Sequence, residues 1–180
     1  RSRGLGDVYK RQVYYLAKML YAGEEVAFIA RRIMICASED VGNADPRALT
    51  VAVSAAQAVE RIGMPEAQII LSQAATYVAC APKSNSACNA IFAANEEVRR
   101  SGNLPIPAHL QDAHYKGAAK LGHGTGYKYA HDYPNHYVEQ QYLPYELTGK
   151  KYYEPSWNGY EAKIREHMKR IKDEAKQKED

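Results

Sequence analysis

The chain has 180 residues and a net charge of +3, from 24 basic and 21 acidic side chains. That length suits one ordinary domain, or one with a helical annex, and 46% hydrophobic against 25% charged residues excludes wholesale disorder. The charge balance does not by itself point to nucleic acid, and no apolar run approaches the roughly 20 residues of a bilayer-crossing helix, so no membrane partner is expected.

Residues 1–12 carry four basic residues, two glycines and no apolar period. They are expected to be a disordered, non-native leader. From Val13 the spacing of Tyr14, Tyr15, Leu16, Met19 and Leu20 predicts a short helix ended by Gly23. Glu24 to Glu39 predicts a second helix with Val26, Ile29 and Ile33 facing a core. The turn Ser38-Glu39-Asp40-Val41-Gly42-Asn43-Ala44-Asp45-Pro46 follows. Asp45 before Pro46 is a helix start, because its carboxylate accepts orphan N–H groups and proline suits the first helical position.

The helix expected over Pro46 to Ile62 is mostly Ala, Val and Leu, with Gly63 at its end. Pro65 is expected to open another that runs to about Ala81 and has almost no polar face. Two such helices expose too much apolar surface for a lone monomer, which points to an oligomer interface. Pro82 stops the chain and Ser84 or Asn85 caps a further helix, which Gly102 ends.

Beyond Gly102 aliphatic residues become scarce. A short helix is predicted over Asp112–Leu121. Residues 122–155 hold many Tyr, Gly and Pro and predict an ordered irregular segment, its rings supplying apolar area and its hydroxyls bonding backbone. Nine of the 15 tyrosines lie between Tyr127 and Tyr160, so this segment cannot be a generic linker. A charged final helix is predicted from about Gly159 to Lys176, with Ile164, Met168 and Ile171 on one stripe. No segment has strand period, so the fold class is all-α: a compact helical domain, a Tyr/Gly-rich irregular C-terminal segment and a final charged helix.

Few residues carry chemistry. Gly122-His123-Gly124-Thr125-Gly126 lacks the GxxxxGK[ST] frame and reads as a packing turn. Six histidines include no HExxH pair, so structural imidazoles are expected rather than a metal. Cys36, Cys80 and Cys88 form no CxxC pair and no secreted disulfide pattern. They suit a reduced cytosolic compartment, and their apolar surroundings disfavour a thiolate nucleophile. Ser38-Glu39-Asp40 could pair carboxylates for catalysis, but reads as a turn with Arg31, Arg32 or Arg47 as partners. Lys116, Lys120, Lys128, Lys150 and Lys151 among tyrosines such as Tyr127 and Tyr129 have the make-up of a single-strand nucleic-acid surface, by stacking and phosphate neutralisation.

The phrases ASEDVGNADPRAL (37–49), ACAPKSN (79–85), GYKYAHDY (126–133), QQYLP (140–144) and YYEP (152–155) occur in an order that resembles the MgsA/RarA family of replication-associated AAA+ ATPases. The eukaryotic relative of that family is the Werner-helicase-interacting protein. The resemblance covers about Val13 to Met168. It implies the end of a helical lid at 13–30 and an α-helical C-terminal oligomerisation domain over 31–180. Ser38, Glu39, Asp40, Asp45, Pro46, Pro82, Lys83, Ser84 and Asn85 fall in its motifs as candidate interface or structural residues.

The family's Walker A lysine, Walker B acidic residues and arginine finger have no counterpart here. The resemblance therefore implies no catalytic, cofactor or metal residues in this chain, and ATP and magnesium belong to a separate ATPase module. It also implies homotetramers at stalled replication forks, contact with forked or single-stranded DNA and single-strand-binding protein through the full-length protein, and a cytoplasmic, nucleoid-associated location. Asn135-His136 departs from the family, where smaller residues are expected after the tyrosine-proline turn. Two rivals stand beside tetramerisation: a DNA-binding module using the basic Tyr-rich surface 115–153, and an enzyme using Glu39, Asp40 and a histidine.

Overall fold

The computed structural model describes residues 8–111 and 124–176. The described residues are helical with short turns and contain no strand. The chain divides into two compact units, one comprising the residues up to Ile91 together with Tyr153–Arg165, the other Phe92–Tyr152 with the residues from Glu166 onward.

Four helices build the first unit: α1 (Val8–Tyr21), α2 (Val26–Cys36), α3 (Arg47–Ile62) and α4 (Ala67–Cys80). α1 begins at Val8, ahead of the start expected at Val13, because Lys10, Arg11 and Gln12 propagate a helix without adding an apolar period. α2 stops at Cys36 and not at Glu39, and a π-helical turn, Ala37–Val41, takes its place. α4 opens at Ala67, two residues after Pro65, where the Ala67 N–H closes a turn on the Gly63 carbonyl at 2.9 Å.

One core cluster joins Leu16, Ile29, Ala30, Val59, Ala67 and Leu71, and a second joins Ala37, Val41, Ala48, Ala52, Val78 and Ala81. The small residues therefore do intramolecular work. Ala48, Ala52 and Ala55 on α3 and Ala67, Ala74 and Ala79 on α4 are buried within the four-helix packing, where short side chains let the backbones approach closely. Part of the apolar surface of these helices is this core, while Leu49, Val53 and Ile62 on α3 and Ile69 on α4 are exposed.

α5 (Ser86–Ser101) is built differently. Ile91, Phe92 and Val98 are 56%, 65% and 63% exposed, and its only buried residue is Glu97. Glu97 accepts from Lys150 Nζ at 3.0 Å and from the Arg100 guanidinium, both within the second unit. These two cations hold its carboxyl below the usual range despite burial.

The second unit is irregular, with 3₁₀ turns at Ala108–Leu110, Ala130–Asp132, Pro134–His136 and Tyr145–Leu147. Its tyrosines depart from expectation: Tyr127, Tyr129, Tyr133, Tyr142 and Tyr145 are exposed, and Val138 is the buried apolar residue of this stretch. Among the described residues these five hydroxyls make no bond to backbone; Tyr142 accepts from Gln140 Nε2 at 2.8 Å. Asn135 and His136 both adopt the left-handed conformation (φ +55° and +53°), which asparagine and histidine enter more readily than most residues other than glycine. The Asp112–Leu121 helix expected from sequence lies outside the described residues. α6 (Tyr160–Lys176) closes the described chain.

Candidate functional site

The motif residues at 38–46 and 82–85 converge with the Tyr153–Glu161 stretch in the first unit. Asp45 is extended (φ −141°) while Pro46 already has helical dihedrals, so Asp45 caps α3. Its Oδ1 accepts from the Arg47 N–H at 3.1 Å and its Oδ2 from the Tyr77 hydroxyl at 2.8 Å. Burial raises the Asp45 carboxyl, but the Tyr77 and Arg47 hydrogen bonds outweigh it and keep it below the ordinary value.

Ser38 and Glu39 are exposed on the π turn. The Asp40 carbonyl accepts the Ser84 N–H at 2.8 Å, and its carboxylate accepts the Cys36 thiol at 3.1 Å. Burial and that carboxylate push the Cys36 thiol up to about 11, which removes it as a nucleophile near neutral pH. Of the arginines expected to partner Glu39 and Asp40, Arg47 pairs with Asp45 and Arg31 lies over the Phe28 ring, while Arg32 lines a cleft with Asp40 without a salt bridge to it among the described residues.

Pro82 to Asn85 form the second turn. Lys83 folds back so that Nζ donates to the carbonyls of Val78 (2.6 Å), Ala79 (3.1 Å) and Ala81 (2.6 Å). A lysine ammonium thus satisfies the orphan acceptors at the C-terminus of α4, the end where a cation is favoured. Ser84 caps α5, accepting the Ser86 N–H at 3.2 Å.

Sequence reasoning missed the centre of this arrangement, Glu161. It is fully buried at the start of α6 and accepts from Ser84 Oγ (2.5 Å), Ser156 N–H (2.7 Å) and Tyr153 OH (2.9 Å). Tyr153 in turn accepts from Asn43 Nδ2 at 3.2 Å. Burial raises this carboxyl, but the Ser156, Ser84 and Tyr153 donors more than cancel it, so Glu161 stays ionised. The available signal was Asn158-x-x-Glu161 ahead of a helix, a capping-box spacing.

Gly159 (φ +54°) closes the arrangement. A Cβ there would collide with the Ala44 carbonyl oxygen and come within 2.7 Å of Pro82 Cγ. The motif residues are therefore brought together as a polar knot that joins three chain stretches. Asp40, Asp45 and Glu161 each have a structural partner, whereas Glu39 is exposed. A cleft of about 790 Å³ lies beside the knot, lined by Leu16, Ile29, Ile33 and Val78 and by the charged Arg32, Asp40 and Lys83; there Asp40 accepts from the Cys36 thiol and Lys83 is bonded to the end of α4.

The basic–aromatic set is only partly assembled. Tyr127, Lys128 and Tyr129 are exposed, and Gln140 brackets the Lys128 backbone from both sides. Lys150 is engaged with Glu97, Lys151 is exposed, and Lys116 and Lys120 lie outside the described residues. The rings of Tyr129, His131 and His136 pack in sequence at tilted angles, with centroids 5.0 and 4.7 Å apart. Among the described residues no three His, Cys, Asp or Glu side chains are placed to hold a metal. None of their helices is long and apolar enough to cross a membrane.

Residues 10–172 match the family model described as MgsA AAA+ ATPase C terminal. The chain is 51% identical over 160 residues to an uncharacterized AAA domain-containing protein of Mycobacterium tuberculosis, covering 89% of this chain and 35% of that protein. It is 47% identical over 147 residues to replication-associated recombination protein A of Bacillus subtilis, covering 82% and 35%. Against the ATPase WRNIP1 of Dictyostelium discoideum it is 38% identical over 142 residues, covering 78% and 16%. The chain thus spans about a third of the length of the bacterial relatives it matches.

Proposed function

Because this chain belongs to the MgsA AAA+ ATPase C-terminal family, we propose that it acts as the oligomerisation domain, assembling as a tetramer, of a replication-associated recombination ATPase. The role is positional. Four copies would hold four ATPase modules, with their ATP, magnesium and DNA-contacting surfaces, at high effective concentration. Contacts with forked DNA and single-strand-binding protein would be made by the assembled full-length protein.

The observation that carries this reading is α5. A 16-residue helix is marginal in water unless tertiary packing supports it. Here Ile91, Phe92 and Val98 face solvent while the single buried residue is a carboxylate. Exposed apolar side chains on a stable helix call for a partner surface, and a second copy supplies one in a symmetric homo-oligomer.

The test is solution mass by light scattering behind a sizing column. At micromolar concentration the expected mass is four times the 20.2 kDa of the chain. Phe92→Asp should lower that mass with the helical circular dichroism unchanged. A wild-type monomer would overturn the proposal.

A further inference from the structure

The cleft of about 790 Å³ beside the knot falls in the size range of small-molecule sites, about 300–1,000 Å³. Its position follows from the helix order. α1 and α2 are joined by residues 22–25 alone, and both pack on α4. Between them Ala75, Val78 and Ala79 of α4 line the cleft, and their short side chains leave room above that helix.

The cleft is amphipathic along its length. Leu16 and Met19 on α1 and Ile29 on α2 line it towards the connecting loop. Arg11, Gln12 and Arg32 line it away from that loop, where Asp40, Lys83 and Asn85 also lie. From Arg11 to Met19 α1 rises about 12 Å. Arg11 and Gln12 fall inside the stretch, residues 10–172, that matches the family model.

The polar end has unmet hydrogen-bonding capacity. Arg11 Nε and Gln12 Oε1 are buried without a partner, and Arg32 has no salt bridge among the described residues. Buried polar atoms left unpaired cost free energy that a ligand's polar atoms recover. The charge at this end is positive. Among the described residues the lining cations are Arg11, Arg32 and Lys83 and the lining carboxylate is Asp40, with exposed Glu39 outside the lining. Cys36 adds no negative charge, because burial and Asp40 push its thiol up to about 11.

The helix ends act in the same direction. Ser84 and Asn85 line the cleft just ahead of α5, whose N-terminus favours an anion. The C-terminus of α4 would repel one, but Lys83 Nζ occupies its carbonyls at Val78, Ala79 and Ala81. We propose that this cleft binds a small amphiphilic anion, its carboxylate or phosphate head paired with Arg11 and Arg32 and its apolar body, about 10 Å long, lying along Leu16, Met19 and Ile29. Guanidinium groups suit such heads because their forked N–H donors match two oxygens at once. Nothing in the proposed tetramer requires this ligand, so the two readings stand or fall separately.

Isothermal titration calorimetry of octanoate, octyl phosphate and octanol into the 180-residue chain tests the site. At least one anion should bind saturably, once per chain, with octanol about tenfold weaker. The tighter anion identifies the head group. Arg32→Gln should weaken the anions about tenfold and leave octanol unchanged. Met19→Trp, which crowds the apolar end, should weaken all three.

No saturable binding of either anion by about 5 mM would overturn the proposal, as would octanol binding as tightly as the anions. Anion affinity unchanged in both variants would place binding elsewhere on the chain, and would overturn it too. The wild-type titrations need no variant to fold.

Discussion

Glu161 is the residue on which the first unit's three chain stretches depend. A fully buried carboxylate survives only when donors replace its lost water, and here Ser84, Ser156 and Tyr153 do so. Glu161→Ala strands those donors in the interior, and should destabilise the fold by about 3 kcal/mol at pH 7, measured by urea unfolding. The acid response follows from the same carboxylates. Glu161 and Asp45 have folded-state values below their ordinary ones, so their stabilisation is complete above the unfolded values of about 4.3 and 3.9. It is lost as pH falls through the lower folded values. Unfolding free energy should therefore be level from pH 7 to about 5 and drop below about 4. The gap between wild type and Glu161→Ala should narrow over that acid range; a gap unchanged at pH 3 would show that the carboxylate charge contributes nothing.

Among the elements, α3 and α4 on one side and α5 on the other solve opposite problems. The first two bury chiefly their alanines and valines where neighbouring backbones lie close, and these small residues contribute to the two core clusters. α5 turns its large apolar residues Ile91, Phe92 and Val98 outward, the feature on which the proposed oligomer rests. The junction into α6 depends on a single glycine. At Gly159 any side chain meets the Ala44 carbonyl and the Pro82 ring, and the positive φ adds strain. Gly159→Ala should cost at least about 2 kcal/mol in thermal or urea unfolding. A variant of wild-type stability would mean that the 155–160 loop tolerates displacement.

For the whole molecule, the proposed assembly would couple stability to concentration. If folded chains associate and unfolded ones do not, mass action raises the melting midpoint with protein concentration. Wild-type chain should show that rise between about 1 and 100 μM, and Phe92→Asp should abolish it. A midpoint independent of concentration in both proteins would leave α5 without the proposed partner.

By itself the sequence determined the helical fold class, the helix order and most helix ends, because apolar period and capping chemistry are local. Asp45-Pro46, Ser84 and Gly63 act where their residue types predict. The ordered motif phrases likewise placed the family, since five separated phrases are hard to meet by chance. What it could not determine was how those motifs are used. Composition could not divide the Ala-rich helices between core and interface, since an apolar face reads the same whether its partner is another helix of the chain or another copy; packing buries Ala48, Ala52 and Ala74 and leaves Leu49, Val53 and Ile69 exposed. Glu161 looked like one charge among many on the last helix. Its burial arises from a contact across 77 residues of chain, between Ser84 and Glu161, and only the tertiary structure decides such contacts.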